Sequence, residues 1–205
     1  HLETFEKLGF PLNLSKYNVP KKLILSENAV KVVAKKDTIN WIGIAPFAQY
    51  ESKIYPLDLM QIVINALAKS ENTKIFLFGG GLKEIELLNE LKAQKENTIV
   101  IAGKLSLEQE MEVISNLDVM LSMDSGNAHI AAMLGIKTIT LWGATHPYAG
   151  FSPFNQPLEN ALVSDRKQYP KLPTSVYGNK IVLGYEDVMR TILPEEVVKK
   201  VKQHL

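Results

Sequence analysis

The chain has 205 residues, of which 46% are hydrophobic and 22% charged, as is typical of a globular domain with one sizeable core. Its 23 basic and 22 acidic residues leave a net charge of +1, which gives no argument for a nucleic-acid partner or an anionic membrane surface. The absence of cysteine excludes disulfides and thiolate metal sites, and no signal peptide or apolar run near the roughly 20 residues of a membrane span is recognisable.

The first region, residues 1–40, opens with a helical pattern, continues through a linker around Pro11 and Pro20, and contains a second helix-like stretch at 27–35. Its first residue is His1 rather than Met, which is compatible with a fragment of a longer protein.

The second region, residues 41–150, alternates between short apolar runs and amphipathic segments. The apolar runs predict five strands, at residues 41–45, 73–78, 98–101, 119–123 and 139–142. The intervening segments predict four helices, at residues 56–69, at 83–94, after Ser106 and after Ser125-Gly126. This alternation predicts an α/β fold, a Rossmann-like parallel sheet with helices on both faces.

Local signals support these helices. Pro56 suits a first helical turn, Ser106 and Gln109 form a capping box, and Gly135 is a suitable end for the helix that follows Ser125-Gly126. The first of the four helices carries an apolar side of Leu59, Ile62, Val63 and Leu67.

The third region, residues 151–205, predicts a loop-rich tail with closing helices that pack back on the domain. Residues 146–180 are rich in Pro, Gly and Asn and have weak periodicity, which is typical of long loops. A final helix starts at Pro194, with acidic residues first and lysines last.

The carboxyl ends of the five strands are expected to meet at one edge of the sheet, because right-handed crossovers bring every parallel strand up in the same direction. We call the loops at this edge the rim. Most of them are rich in glycine or small residues, which allows a ligand to approach the backbone closely.

The segment Asp124-Ser125-Gly126-x-x-His129 lies where a strand turns sharply into a helix. Free N–H groups and the helix dipole would converge there, so the expected guest is an anion, most often a phosphate. Asp and Ser are also ordinary helix caps, and a lone helical His is usually structural. We favour the functional interpretation because two of the four histidines stand at the chain ends, whereas His129 and His146 fall on or near the rim.

Three further rim features have both an ordinary and a functional interpretation. Glu84, after the Gly79-Gly80-Gly81 turn, either suits a first helical turn or accepts hydrogen bonds from ribose hydroxyls. Lys53 is by default a solvated loop charge, but its position before a helix makes a phosphate contact feasible. Thr145 either donates to a phosphate or caps a turn.

Several well-known motifs are missing from the chain. There is no Gly-x-Gly-x-x-Gly, no Walker lysine followed by Ser or Thr, and no Gly-x-Ser-x-Gly nucleophile elbow. There is also no Asp-x-Asp and no cluster at metal-ligand spacing. The sequence therefore predicts neither a cofactor nor a metal site, and it does not indicate a hydrolase.

Taken together, the rim motifs resemble those of glycosyltransferase family 9, the heptosyltransferases. The matching motifs, in an order and spacing that hold over roughly residues 40–150, are Ala45-Pro46-Phe47-Ala48 with Lys53, Gly80-Gly81-x-x-Glu84, Leu105-Ser106-Leu107, Asp124-Ser125-Gly126-x-x-His129-x-Ala131-Ala132-x-x-Gly135 and Leu141-x-Gly143-x-Thr145-x-Pro147.

The resemblance implies the carboxyl-terminal, donor-binding half of a GT-B glycosyltransferase, which binds a nucleotide-sugar, typically ADP-heptose, for transfer to a lipopolysaccharide core acceptor. By matching position, Lys53 would neutralise the diphosphate and Glu84, beside Gly80, would hold the ribose. The residues that would surround the diphosphate are Ser125, Gly126, Asn127 and His129. Asp124 and Thr145 are also expected among the residues that bind the nucleotide-sugar.

The resemblance also implies that residues 1–40 enter this domain from an amino-terminal domain that carries the acceptor site and the general base. This chain alone would then bind donor, without a metal, but would not transfer sugar. Two alternatives remain: a non-catalytic nucleotide-binding module, or another GT-B sugar-nucleotide enzyme such as an epimerase. A cytoplasmic location is implied, and peripheral contact with the inner membrane fits the family although nothing in the chain encodes it.

Overall fold

The apolar runs of the sequence form the strands of one parallel sheet in a computed structural model, which describes residues 2–11, 13, 17–92, 95–149 and 151–205. Within these residues the strands are β1 Asn40–Ala45, β2 Thr73–Leu77, β3 Thr98–Val100, β4 Val119–Met123, β5 Lys137–Trp142 and β6 Ala161–Val163. The α-helices are α1 Leu2–Lys7, α2 Glu27–Val33, α3 Leu57–Ala68, α4 Gly81–Leu91, α5 Leu107–Ser115, α6 Gly126–Met133 and α7 Pro194–Lys202.

The strand order is β3-β2-β1-β4-β5-β6, so the direction of winding reverses between β1 and β4. The register pairs Ala45 at the end of β1 with Ser122 near the end of β4. Doubly wound sheets bind ligands at such a reversal, in the crevice outside the carboxyl ends of the strands.

Alternate residues of β1 point to opposite faces of the sheet, as a strand buried on both sides requires. Ile42 and Ile44 enter a core that also contains buried residues of α3, α4 and α7. Trp41 and Ala45 enter a second core with buried residues of α2, α5 and α6. The predicted Rossmann-like sheet with helices on both faces is therefore confirmed.

The local helix signals hold with small shifts. Ser106 and Gln109 form both bonds of a capping box, and Gly135 has a positive φ of 79° just after α6. Pro56 stands at the N-cap of α3 rather than inside it. The helix expected at 83–94 is α4, which begins two residues earlier, and positions 93 and 94 of the prediction lie outside the described residues.

Two expectations need correction. Residues 146–180 are not loops throughout, because 161–163 form β6, which extends the sheet beside β5. The sequence did not predict β6 because the strand is short and the residues before it show no periodicity. Ile62 does not face the core: its side chain is 50% exposed and lines a groove between α3 and α7.

The segment after β6 is fastened to the core. Val197 and Val201 of α7 are fully buried in the core that contains α3. The hydroxyl of Tyr55, another fully buried residue, donates to the carbonyl of Ile192 at 2.6 Å. None of the helices in the described part of the chain combines the length and apolar character that crossing a bilayer demands.

Replacing Tyr55 with Phe is expected to lower the free energy of unfolding by about 1–2 kcal/mol, because the buried Ile192 carbonyl loses its donor while the ring packing remains. Urea unfolding measures this change. Tyr148, which is 76% exposed, provides the control Tyr148→Phe. Equal stability of the Tyr55 variant and the wild type would contradict the proposed anchoring.

Candidate functional site

Two adjoining cavities open at the rim where the strand order reverses. Their volumes are about 270 and 360 Å³, and both are lined by Gln49, Ser125 and Gly126. We call them the lysine cavity and the glutamate cavity, after Lys53 in the first and Glu84 in the second. Together they surround the start of α6 from two sides, so one elongated ligand could occupy both.

A buried ion pair forms the wall of the lysine cavity. Lys53 Nζ lies 2.8 Å from Asp124 Oδ2, and the two side chains are only 13% and 4% exposed. The same oxygen accepts a hydrogen bond of 2.9 Å from the hydroxyl of Thr145, which is buried. The loops that follow β1, β4 and β5 are thus tied together through one carboxylate.

The backbone around Lys53 is held by neighbouring loops. The carbonyl of Ser52 accepts the N–H of Ala144 at 3.1 Å, and the Ser52 hydroxyl donates to the carbonyl of Gly178. Gly178 has a positive φ of 80° and lies so close to Lys53 that a Cβ there would come within 2.7 Å of the lysine Cδ. The segment around Gly178 therefore covers the stem of the lysine.

The start of α6 presents backbone donors to both cavities. Ser125 is the N-cap in an extended conformation, but its side chain makes no capping bond within the helix and its hydroxyl instead lies 3.1 Å from that of Ser122. The first N–H groups of a helix have no acceptor inside it. Because Gly126 has open space where a Cβ would be, an anion could approach these groups closely.

Glu84 lines the glutamate cavity, and its carboxylate is held by a hydrogen bond. Its Oε2 accepts the N–H of Gly80 at 2.7 Å, and a side chain at Gly79 would crowd the same oxygen at 3.0 Å. Its other oxygen has no partner among the described residues. The carboxylate is therefore oriented by its own turn while it keeps capacity to accept hydrogen bonds from a ligand.

Glu110 also lines the glutamate cavity and was missed by sequence reasoning. Burial raises the pKa of its carboxyl to about 7. A glutamate in the first turn of a helix is so common that its position gives no signal.

The lysine cavity has further lining residues that the sequence did not indicate. They are Phe151, Val176 and Tyr177, which come from the stretch for which only loops were predicted.

The structure brings the predicted site residues together around the two cavities. Lys53, Asp124, Ser125, Gly126 and His129 line the lysine cavity, and Gly80, Glu84 and Asn127 line the glutamate cavity. Thr145 lies behind Asp124 as its hydrogen-bond donor. That these residues bind a nucleotide stays a prediction.

His146, the other histidine near the rim, lines neither cavity. Its Nδ1 accepts the N–H of Tyr148 at 3.3 Å, and burial, followed by the nearby Arg166, lowers the pKa of its imidazole. Within the described ranges no three His, Asp or Glu side chains form a group that could hold a metal ion.

The sequence matches the family model described as glycosyltransferase family 9 (heptosyltransferase) over residues 3–180. It is 29% identical over 193 residues to lipopolysaccharide heptosyltransferase 1 of Campylobacter coli, a match that covers 91% of this chain and 52% of that protein. The chain spans about half the length of the curated relatives it matches.

Solved structures show the same fold at low sequence identity. The glycosyl transferase family 9 structure from Veillonella parvula aligns with a TM-score of 0.71 at 20% identity, covering 98% of this chain and 57% of that one. The Escherichia coli heptosyltransferase WaaC with ADP aligns with a TM-score of 0.63 at 18% identity, covering 83% of this chain and 46% of that one. The chain therefore belongs to glycosyltransferase family 9 and has the Rossmann-like sheet of GT-B heptosyltransferases.

Proposed function

We propose that this chain is the donor-binding half of a glycosyltransferase that moves heptose from ADP-heptose to a lipopolysaccharide core acceptor. The observation that carries the proposal is the pair of cavities that meet at the amino end of α6, with an ammonium group in one and an oriented carboxylate in the other. A nucleoside diphosphate has matching chemistry, since its anion suits the first and its ribose hydroxyls suit the second. Proteins of similar fold support this choice, because one solved structure is that of a heptosyltransferase with ADP and another is that of an ADP-heptose heptosyltransferase.

In this proposal the diphosphate lies against the N–H groups of Gly126 and Asn127, with Lys53 and His129 beside it. An ammonium group has three donors, so Lys53 can keep its bond to Asp124 and still donate to a phosphate oxygen. Charge that develops on the leaving diphosphate would be stabilised by these fixed donors, a task that needs no metal ion.

The ribose end of the donor would lie in the glutamate cavity. Glu84, already held by the N–H of Gly80, has an oxygen available to accept hydrogen bonds from the ribose hydroxyls. A carboxylate whose orientation is fixed before binding loses less side-chain entropy when the ligand arrives.

We further propose that the acceptor site and the general base lie in another domain of the whole enzyme, which residues 1–40 join to the donor domain at 41–150. Residues 151–205 then pack against that domain as its tail. This half alone would bind donor without transferring sugar. Its expected location is the cytoplasm, with peripheral contact at the inner membrane.

A thermal-shift comparison of ADP, UDP and GDP against nucleotide-free buffer tests the proposal. ADP is expected to raise the melting temperature, because a ligand that binds only the folded state stabilises it by mass action. A response to UDP alone, with none to ADP, would contradict the ADP-heptose assignment.

Lys53→Ala is expected to weaken ADP binding roughly 10- to 100-fold and His129→Ala roughly tenfold, because each removes a charge-assisted donor to the diphosphate. Isothermal titration measures the affinities, and melting curves give the folded fraction. The exposed Lys69 at the end of α3 supplies the control Lys69→Ala. Loss of folding in both site variants, at unchanged affinity per folded molecule, would favour purely structural roles.

A matched glycine pair tests the position of the lysine. Gly178 and Gly184 both have φ near 80°, so alanine strains each backbone by about 1–2 kcal/mol. Only Gly178→Ala also pushes against Lys53 and Thr145, since nothing lies within 4 Å at Gly184. We expect Gly178→Ala to bind ADP roughly tenfold more weakly than Gly184→Ala. Equal affinities by titration would show that the cover over Lys53 has no role in binding.

A further inference from the structure

The carboxyl of Glu110 is the one titratable group of the glutamate cavity, among the described residues, to which the proposed donor site gives no role. Glu110 lies in the first turn of α5 and is half-buried. Its backbone N–H donates to the carbonyl of Ser106, but its carboxyl has no hydrogen bond or ion pair within the described part of the chain. A carboxyl that lines a cavity and has no protein partner is available to hydrogen-bond a ligand there.

Large apolar side chains line the glutamate cavity together with Glu110. They are those of Leu107 and Ile130 and the rings of Phe47 and Phe78. A flat aromatic base needs such apolar walls and a polar group at its edge. The 360 Å³ cavity therefore has room and chemistry for more than the ribose that Glu84 would hold.

Several other titratable groups lie on α5 and on the elements around it. Glu84 of α4 shares the cavity and His129 of α6 lines the adjoining one. On the α2 side, Glu112 accepts the N–H of Ser26, while Glu27 and Lys31 of α2 are exposed, as are Lys104 and Glu108 near the start of α5. Burial is the cause that raises the pKa of Glu110 to about 7, so both protonation states are populated near neutral pH.

Resting on the proposed function, we propose that Glu110 selects the base of the nucleotide, with its protonated carboxyl pairing with adenine. A neutral carboxyl both donates and accepts one hydrogen bond. Adenine offers an acceptor, N1, next to a donor, its N6 amino group. The ionised carboxylate only accepts and matches guanine, whose N1 and N2 both donate.

A pH dependence follows from this pairing. Below pH 7 the carboxyl keeps its proton and can donate to adenine N1. Above pH 7 that donor is lost, so ADP affinity falls while GDP affinity rises. Glu110→Gln carries an amide that donates and accepts at every pH. The pH dependence of affinity that comes from position 110 is therefore expected to disappear in this variant.

The test is isothermal titration of ADP into the wild-type chain and Glu110→Gln from about pH 5.5 to 8.5, with GDP as a second ligand. The ratio of wild-type to variant affinity at each pH removes every pH dependence that both proteins share, including that of the diphosphate itself. For ADP we expect a ratio near one at the acid end, falling roughly tenfold at the alkaline end, and the opposite trend for GDP. Glu108→Gln, on the same helix, is the matched control and should follow the wild type.

The role of Glu110 is overturned if the ratio of wild-type to Glu110→Gln affinity for ADP stays constant with pH. It is also overturned if the ratio of wild-type to Glu108→Gln affinity falls by the same amount. Should Glu110→Gln fold poorly by its melting curve, Glu110→Leu replaces it and is expected to discriminate less between ADP and GDP than the wild type at pH 6. If Lys53→Ala loses ADP binding but no Glu110 variant changes the ADP affinity, the pairing of Glu110 with the base is wrong and the proposed function stands. If no nucleotide binds the wild type, the proposed function fails with it.

Discussion

The buried carboxylate of Asp124 is the group on which the arrangement of the rim depends. A carboxylate that is 4% exposed is tolerated only with close partners, and here one oxygen takes both the Lys53 ammonium at 2.8 Å and the Thr145 hydroxyl at 2.9 Å. These groups come from the loops after three different strands. Removing either Lys53 or Asp124 leaves the other charge buried without its counter-ion, so the geometry of these loops is coupled.

The sheet makes this coupling feasible. The reversal of strand order places the end of β1 beside that of β4, so the loop carrying Lys53 and the turn carrying Asp124 border the same crevice. The ion pair holds the lysine next to the open N–H groups of α6 before any ligand arrives. In the proposed donor site this pre-organisation lowers the entropy lost on binding, and the carboxylate acts as a positioning group for the cation.

Much of this could be predicted from the sequence, because alternating apolar runs and amphipathic helices specify a parallel sheet, and the sheet fixes which loops share an edge. The order of the predicted strands was enough to place Asp124 and Gly126 at that edge. What could not be predicted depends on contacts distant in sequence. The pairing of Lys53 with Asp124, the cover by Gly178 and the placement of Glu110 in a cavity all arise from tertiary packing. The strand β6 was missed because three residues cannot establish a period.

The most direct test of the account is a crystal structure of the chain with ADP. We expect the diphosphate within hydrogen-bond distance of the N–H groups of Gly126 and Asn127, with the ammonium of Lys53 bonded both to a phosphate oxygen and to Asp124. Density for ADP elsewhere on the surface, with the amino end of α6 unoccupied and the ion pair unchanged, would contradict the account.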